Sequence, residues 1–168
     1  MVVKELITLV NVESNEILDE QLEYIQYINA AIDWLTTILV SIKDREVVKN
    51  TDIPNLKAVP SDFMGFVPKS GYPIRIINGT FETYDGEIVK GVFYSVRKNH
   101  VDDMDDPIPF SEFFHQYLVQ LISFMVKKKS LMTDYAAYDK TFIDYITEQI
   151  KVARLLCCHN LTHQLQNA

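Results

Sequence analysis

At 168 residues the chain is the size of one domain and can bury roughly 70% of the surface its unfolded form exposes. Hydrophobic residues at 48% and charged residues at 23% predict a soluble globular protein, and only five glycines and six prolines leave little room for a flexible linker. A net charge of −7 argues against sequence-independent binding to nucleic-acid backbones and against attraction to an anionic membrane surface.

In chain order, residues 3–10 form a short apolar run, read as a helix or a strand, and the polar "NVESNEILD" that follows reads as a connection. Leu6 to Val10 is too short for a secretory signal and has Glu5 beside it. Asp19 is placed to cap the next helix, with Glu20 and Glu23 in the first turn. Leu22, Ile25, Ile28, Ile32, Leu35, Leu39 and Ile42 recur at steps of three or four, which predicts an amphipathic helix over 20–43, with Trp34 on its flank. The apolar segment "INAAIDWLTTILVSI" contains Asp33 and falls short of a membrane span.

Residues 44–57 are polar and predict no element. From 58 to 98, turn residues Pro60, Pro68, Gly71, Pro73 and Gly79 separate β-type runs "DFMGFV", "YPIRII", "TFETY" and "EIVKGVFYSV". Tyr84-Asp85-Gly86-Glu87 reads as a hairpin turn, because glycine supplies the positive φ such turns require. These runs predict one small antiparallel sheet.

The stretch "DDPIPFSEFFHQYLVQL" predicts a helix starting at its two prolines and running over 108–129. Phe110, Phe113, Phe114, Tyr117, Leu118, Leu121, Ile122 and Met125 form its apolar stripe, and Lys127, Lys128 and Lys129 suit its C-terminus. Thr133 or Asp134 can cap a last helix over 133–156, whose face is marked by Tyr135, Tyr138, Phe142, Tyr145 or Ile146, Gln149 and Ala153. The expected fold is therefore α+β and mainly α: long antiparallel helices with a small antiparallel β insertion. One domain spans 1–152, followed by a polar segment, 153–168.

Few residues carry chemistry. Asp102, Asp103, Asp105 and Asp106 could hold a hard cation but lack the EF-hand spacing and its glycine; the plainer reading is a solvated acidic loop. Cys157, Cys158, His159 and His163 lie together, yet adjacent cysteines diverge by about 100° on a helix and give no metal grip. Being adjacent, they also form no disulfide framework, which points to a reducing, intracellular setting. Asp85, Glu87 and Lys90 loosely suggest a metal-dependent nuclease, but on a strand Glu87 and Lys90 point to opposite faces. His100 and His115 have no nucleophile in a recognisable motif, "SGYPIRIING" is no phosphate loop, and the nine Tyr and nine Phe are not interleaved with cations as a base-stacking platform would be. The sequence thus gives no catalytic residue, no cofactor and no metal site. It gives apolar surface that a partner could cover.

Four stretches in order, "LDEQLEYIQYINAAIDWL" (18–35), "VPSDFMGFV" (59–67), "GYPI" (71–74) and "DDPIPFSEFFHQYLVQLISFMVKKKSLMTDYAAYDKTFIDYI" (105–146), resemble the head-to-tail adaptor proteins of tailed bacteriophages, of the podovirus-type and crAss-like kind. That family has a "YINAA"-like helix end, an "LPxDF"-like strand, an "IPxxFHxxLV"-like helix and a "YxxxF"-like spacing. The resemblance implies a non-enzymatic virion protein made in the host cytoplasm. It would form a ring of twelve copies at the portal–tail junction, touch itself, the portal protein and the next tail protein, and let DNA pass without specific binding. By that likeness 153–168 is a portal-docking tail with Leu155, Leu156, Leu161 and Leu165 as anchors. Tyr84, Asp85 and Gly86 would touch a neighbouring subunit or ring. "CCHNLTHQLQNA" matches no signature of that family. An alternative reading is a small intracellular α+β module that binds one partner without catalysis.

Overall fold

The computed structural model describes residues 1–14, 21–130 and 136–166, with side chains described for 1–14, 23–128 and 140–155. Four α-helices, α1 (Val3–Ser14), α2 (Gln21–Ser41), α3 (His115–Ser130) and α4 (Ala136–Gln166), accompany six strands. The strands are β1 (Val48–Ile53), β2 (Lys57–Ala58), β3 (Phe63–Phe66), β4 (Ile74–Ile77), β5 (Thr80–Thr83) and β6 (Val89–Val96). This corrects the expected mainly α fold of long packed helices with one small sheet. Among the described residues the protein is a mixed α and β structure, with two three-stranded antiparallel sheets ordered β1-β6-β3 and β2-β5-β4.

The reason is that the β region builds a core of its own. Ile53, Ile74, Phe81 and Val92 are buried together, with Phe63, Phe66 and Tyr72 packed around them. Phe63 sits edge-on to Phe81 and Phe66, with centroids 5.4 and 5.2 Å apart. Aromatic pairs of this kind add to the area they bury. The helical core is separate: Leu6, Ile28, Ile32, Leu35, Leu39, Phe114, Leu118, Leu121, Ile122 and Ile146 are fully buried. Helix α3 packs against both α1 and α2, as helices with one apolar stripe must.

Tyr84–Glu87 is a turn, with Gly86 at φ 76°, but it does not make a hairpin. Strands β5 and β6 on either side belong to different sheets. Side chains from the end of β1 and from the β1–β2 connection occupy their backbone donors instead: Thr83 N–H donates to Asn55 Oδ1 at 3.0 Å and Gly91 N–H to Asp52 Oδ1 at 2.9 Å. The tight hairpin is β4–β5. Asn78 and Gly79, at φ 48° and 73°, form the two-residue turn whose twist matches the strands. Gly79→Ala puts a Cβ into this left-handed position and is expected to cost about 1 kcal/mol, read as a lower urea midpoint.

Helix α3 also starts later than the prolines suggest. A 3-10 turn at Glu112–Phe114 leads into it, after extended Ser111 (φ −62°, ψ 156°). Residues preceding proline avoid the helical region, and the N-terminus holds this segment extended: Ile108 N–H donates to Met1 O at 3.1 Å and Val3 N–H to Asp106 O at 3.0 Å. Ile108 and Phe110 are buried there as core, not as helix. Helix α1 runs on to Ser14, four residues into the expected connection, and residues 48–53, read as polar loop, are strand β1. Asp19 and Glu20, like Thr133, Asp134 and Tyr135, lie outside the described residues. Among the described side chains of α4 the buried ones are Ile146 and Ile150. Of the expected face, Tyr145 and Gln149 are exposed.

Candidate functional site

Helix α4 is tied to the body by one buried ion pair that the sequence did not suggest. Arg154 donates to both carboxylate oxygens of Asp44 at 2.7 and 2.8 Å, in the fork geometry guanidinium favours. The Asp44 side chain is 5% exposed and that of Arg154 22%. The guanidinium carbon also lies 4.5 and 4.8 Å from the ring centres of Phe113 and Phe114. Asp44 faces inward because α2 ends in a Schellman motif: Asp44 N–H donates to Leu39 O at 2.9 Å and Lys43 N–H to Val40 O at 3.1 Å, with Lys43 at φ 55°.

A second polar node joins β1, β6 and the entry to α3. Lys98 donates to Glu46 Oε1 at 2.8 Å, while the Ser111 N–H and hydroxyl reach the same carboxylate at 3.2 and 3.1 Å. Burial disfavours the charged carboxylate, but Lys98 and the two Ser111 donors outweigh it and hold Glu46 below its ordinary value. Folding therefore favours the ionised form. Its contribution is complete above the ordinary value of 4.5 and is lost as pH falls through the lowered folded value. Glu46→Gln is accordingly expected to be less stable than the parent near neutral pH. That difference should narrow as pH is lowered below 4.5, read in guanidinium titrations.

The acidic loop is organised by its own backbone. Asp102 and Asp103 N–H groups donate to Asp106 Oδ2 at 2.8 and 2.9 Å, and these bonds lower the Asp106 value. Lys4 reaches Asp105 at 2.5 Å, and this hydrogen-bonded charge raises the lysine's value. His100 pairs with Asp33 at 3.0 Å, and His115 meets Phe110 O at 3.0 Å. Among the described residues no group of three or more His, Cys, Asp or Glu is placed to hold a metal ion. Asp85, Glu87 and Lys90 are all exposed. Asp85 Oδ1 accepts Glu87 N–H at 2.9 Å, so the carboxylate orders its own turn. The side chains of Cys157, Cys158, His159 and His163 lie outside the described residues. No described helix is long and apolar enough to cross a membrane.

The residues expected to meet partners fall in two places. Tyr84 is 70% exposed at the tip between the sheets, beside exposed Asp85, Gly86, Leu56 and Ile88. Leu155 is 64% exposed on α4; Leu156, Leu161 and Leu165 lie on the same helix with side chains outside the described residues. The helix passes residue 153 without a break. Exposed Tyr145, Val152 and Leu155 follow one another at i, i+7 and i+10, sharing a face of α4. Two further apolar surfaces were not legible in the sequence. Leu9 and Val12 on α1 are exposed beside α3, where they border a shallow groove with Gln116, Val119 and Gln120. Ile76 and Ile77 are exposed on β4, an edge strand of its sheet.

No protein-family model matches the chain, and comparison with curated proteins returns no match.

Proposed function

We propose that the chain is a structural subunit of a phage head-to-tail connector, one of a ring of copies between portal and tail whose channel DNA crosses without specific contacts. The observation that carries this reading is the placement of exposed apolar side chains on separate elements: Leu9 and Val12 on α1, Tyr145, Val152 and Leu155 on α4, and Leu56, Tyr84 and Ile88 at the sheet tip. A closed ring uses a heterologous interface, so every copy needs two different faces, and docking to portal and tail needs more. A one-to-one binder needs a single patch. The net charge of −7 supports the same reading, since like charge lowers adhesion of passing DNA. The described carboxylates of the interior, Asp44 and Glu46, are committed to cation partners within the fold, which suits a structural role. In this reading the particle is the site of action, and twelve is the copy number that the family resemblance carries.

The test uses truncation. The Asp44–Arg154 pair makes Arg154 part of the folded body, so the docking arm must be cut after Leu155. A chain ending there is expected to keep the parent's thermal unfolding and to lose co-purification with the portal protein. A truncated chain that docks as well as the parent removes the C-terminal segment from the docking surface.

A further inference from the structure

A cleft of about 600 Å³ opens where the end of α2 meets the β1-β6-β3 sheet. Cavities of that size are typical of small-molecule sites, roughly 300–1,000 Å³. Its lining includes Lys43, Arg45, Asn50, Val67, Tyr72 and Phe93, and no carboxylate. That is unusual for a chain with 23 acidic residues against 16 basic.

The geometry explains how two cations reach one mouth. Asp44 turns inward to Arg154, so its neighbours Lys43 and Arg45 turn outward. Among the described residues neither has an ion-pair partner. Lys43 occupies the left-handed position at a helix end that sterics favour for glycine, so a glycine there relieves the backbone. Asn50 and Phe93 are directly opposite in the β1–β6 ladder and share a face. Phe93 is 42% exposed, and the Asn50 amide makes no hydrogen bond among the described residues. Lys49 also borders the cleft, but strand alternation turns its side chain to the other face. The opposite wall is fixed in advance: Tyr72 Oη donates to Val67 O at 3.3 Å and accepts Phe93 N–H at 3.0 Å, and Val67 N–H donates to Phe93 O at 2.9 Å.

We infer that this cleft binds a nucleotide. Lys43 and Arg45 hold the phosphate, Phe93 stacks on the base, and the Asn50 amide pairs with its edge. The ligand is a free nucleotide or one unit of a single strand. A duplex is disfavoured, because its bases are already stacked and its other phosphates would meet an acidic surface. This inference does not depend on the connector reading.

The test is calorimetric titration of the full-length chain at low salt with adenosine monophosphate, single-stranded oligo(dA), inorganic phosphate and oligoglutamate. Adenosine monophosphate is expected to bind about tenfold or more tightly than inorganic phosphate, the difference a stacked base supplies. Lys43→Gly should unfold at the same or a higher temperature and yet bind about tenfold more weakly, because it relieves the backbone while removing a charged hydrogen bond. Phe93→Ala should weaken adenosine monophosphate and leave inorganic phosphate unchanged. Tighter binding of oligo(dA) per nucleotide identifies a strand as the source of the ligand; equal binding identifies the free nucleotide. No binding of either nucleotide probe at millimolar concentration overturns the inference. So does unchanged affinity in Lys43→Gly or in Phe93→Ala, or binding of oligoglutamate in place of nucleotides.

Discussion

Phe114→Ala is expected to lower the unfolding free energy by about 4 kcal/mol, which is a large fraction of the stability of an ordinary domain. Phe114 is completely buried, and its ring is met by three others: Phe113 at 4.9 Å, Phe110 at 6.1 Å and Tyr117 at 6.4 Å between centroids. It also lies in the 3-10 turn that leads into α3. Truncation therefore removes apolar area, leaves a cavity between fixed neighbours and deprives the Arg154 guanidinium of one of its two rings. Denaturation in urea followed by circular dichroism reads the effect. A loss under about 1 kcal/mol would mean that the site repacks, as a loosely filled core does.

Arg154→Ala is expected to cost about 3 kcal/mol, and more than Asp44→Asn. The two partners are not equivalent. Removing Arg154 leaves a carboxylate, 5% exposed, without its counter-ion. Converting Asp44 to Asn removes the charge but keeps an oxygen for the Glu46 N–H, which Asp44 Oδ1 accepts at 2.8 Å. The remaining guanidinium can still lie on Phe113 and reach solvent, since its side chain is 22% exposed. Arg154 and Phe114 touch, so their losses should not add. A double-mutant cycle is expected to give a coupling of about 1 kcal/mol, the size of a cation–π contact that is partly desolvated.

The parts of this fold that could be read in the sequence are those with local periodicity. Ile28, Ile32, Leu35 and Leu39 are spaced by three or four and are buried. The stripe from Phe114 to Met125 is likewise in the core. Strand β1 was illegible for a physical reason. "VKNTDI" has apolar residues only at its ends, its middle is polar, and it pairs at the edge of a sheet with residues some forty positions away. The division into two sheets was hidden similarly. The Asp85-Gly86 signal is local and did produce a turn, but Asn55 and Asp52, distant in sequence, took the donors that a hairpin would have used. The stronger local signal is Asn78-Gly79, of which Gly79 reads as a turn residue, and it is the one that makes the hairpin.

The candidate sites divide in the same way. Tyr84 and Leu155, expected from the sequence to meet partners, are exposed, which does not distinguish them from other surface residues. The Asp44–Arg154 pair spans 110 positions, and no spacing rule announces it. The cleft at Lys43 and Arg45 is formed by β1, the 67–72 loop and Phe93, three segments whose approach is tertiary. Its aromatic and basic residues are not interleaved in the chain, so no linear motif marks them.

The connector reading is tested most directly by the mass of the intact complex. The tagged chain is purified from its native source under non-denaturing conditions and measured by native mass spectrometry, with its partners identified from their peptides. The connector proposal predicts a closed assembly of about twelve copies, the number the family resemblance implies, together with portal and tail proteins. A monomer or dimer bound to one cellular protein would contradict it.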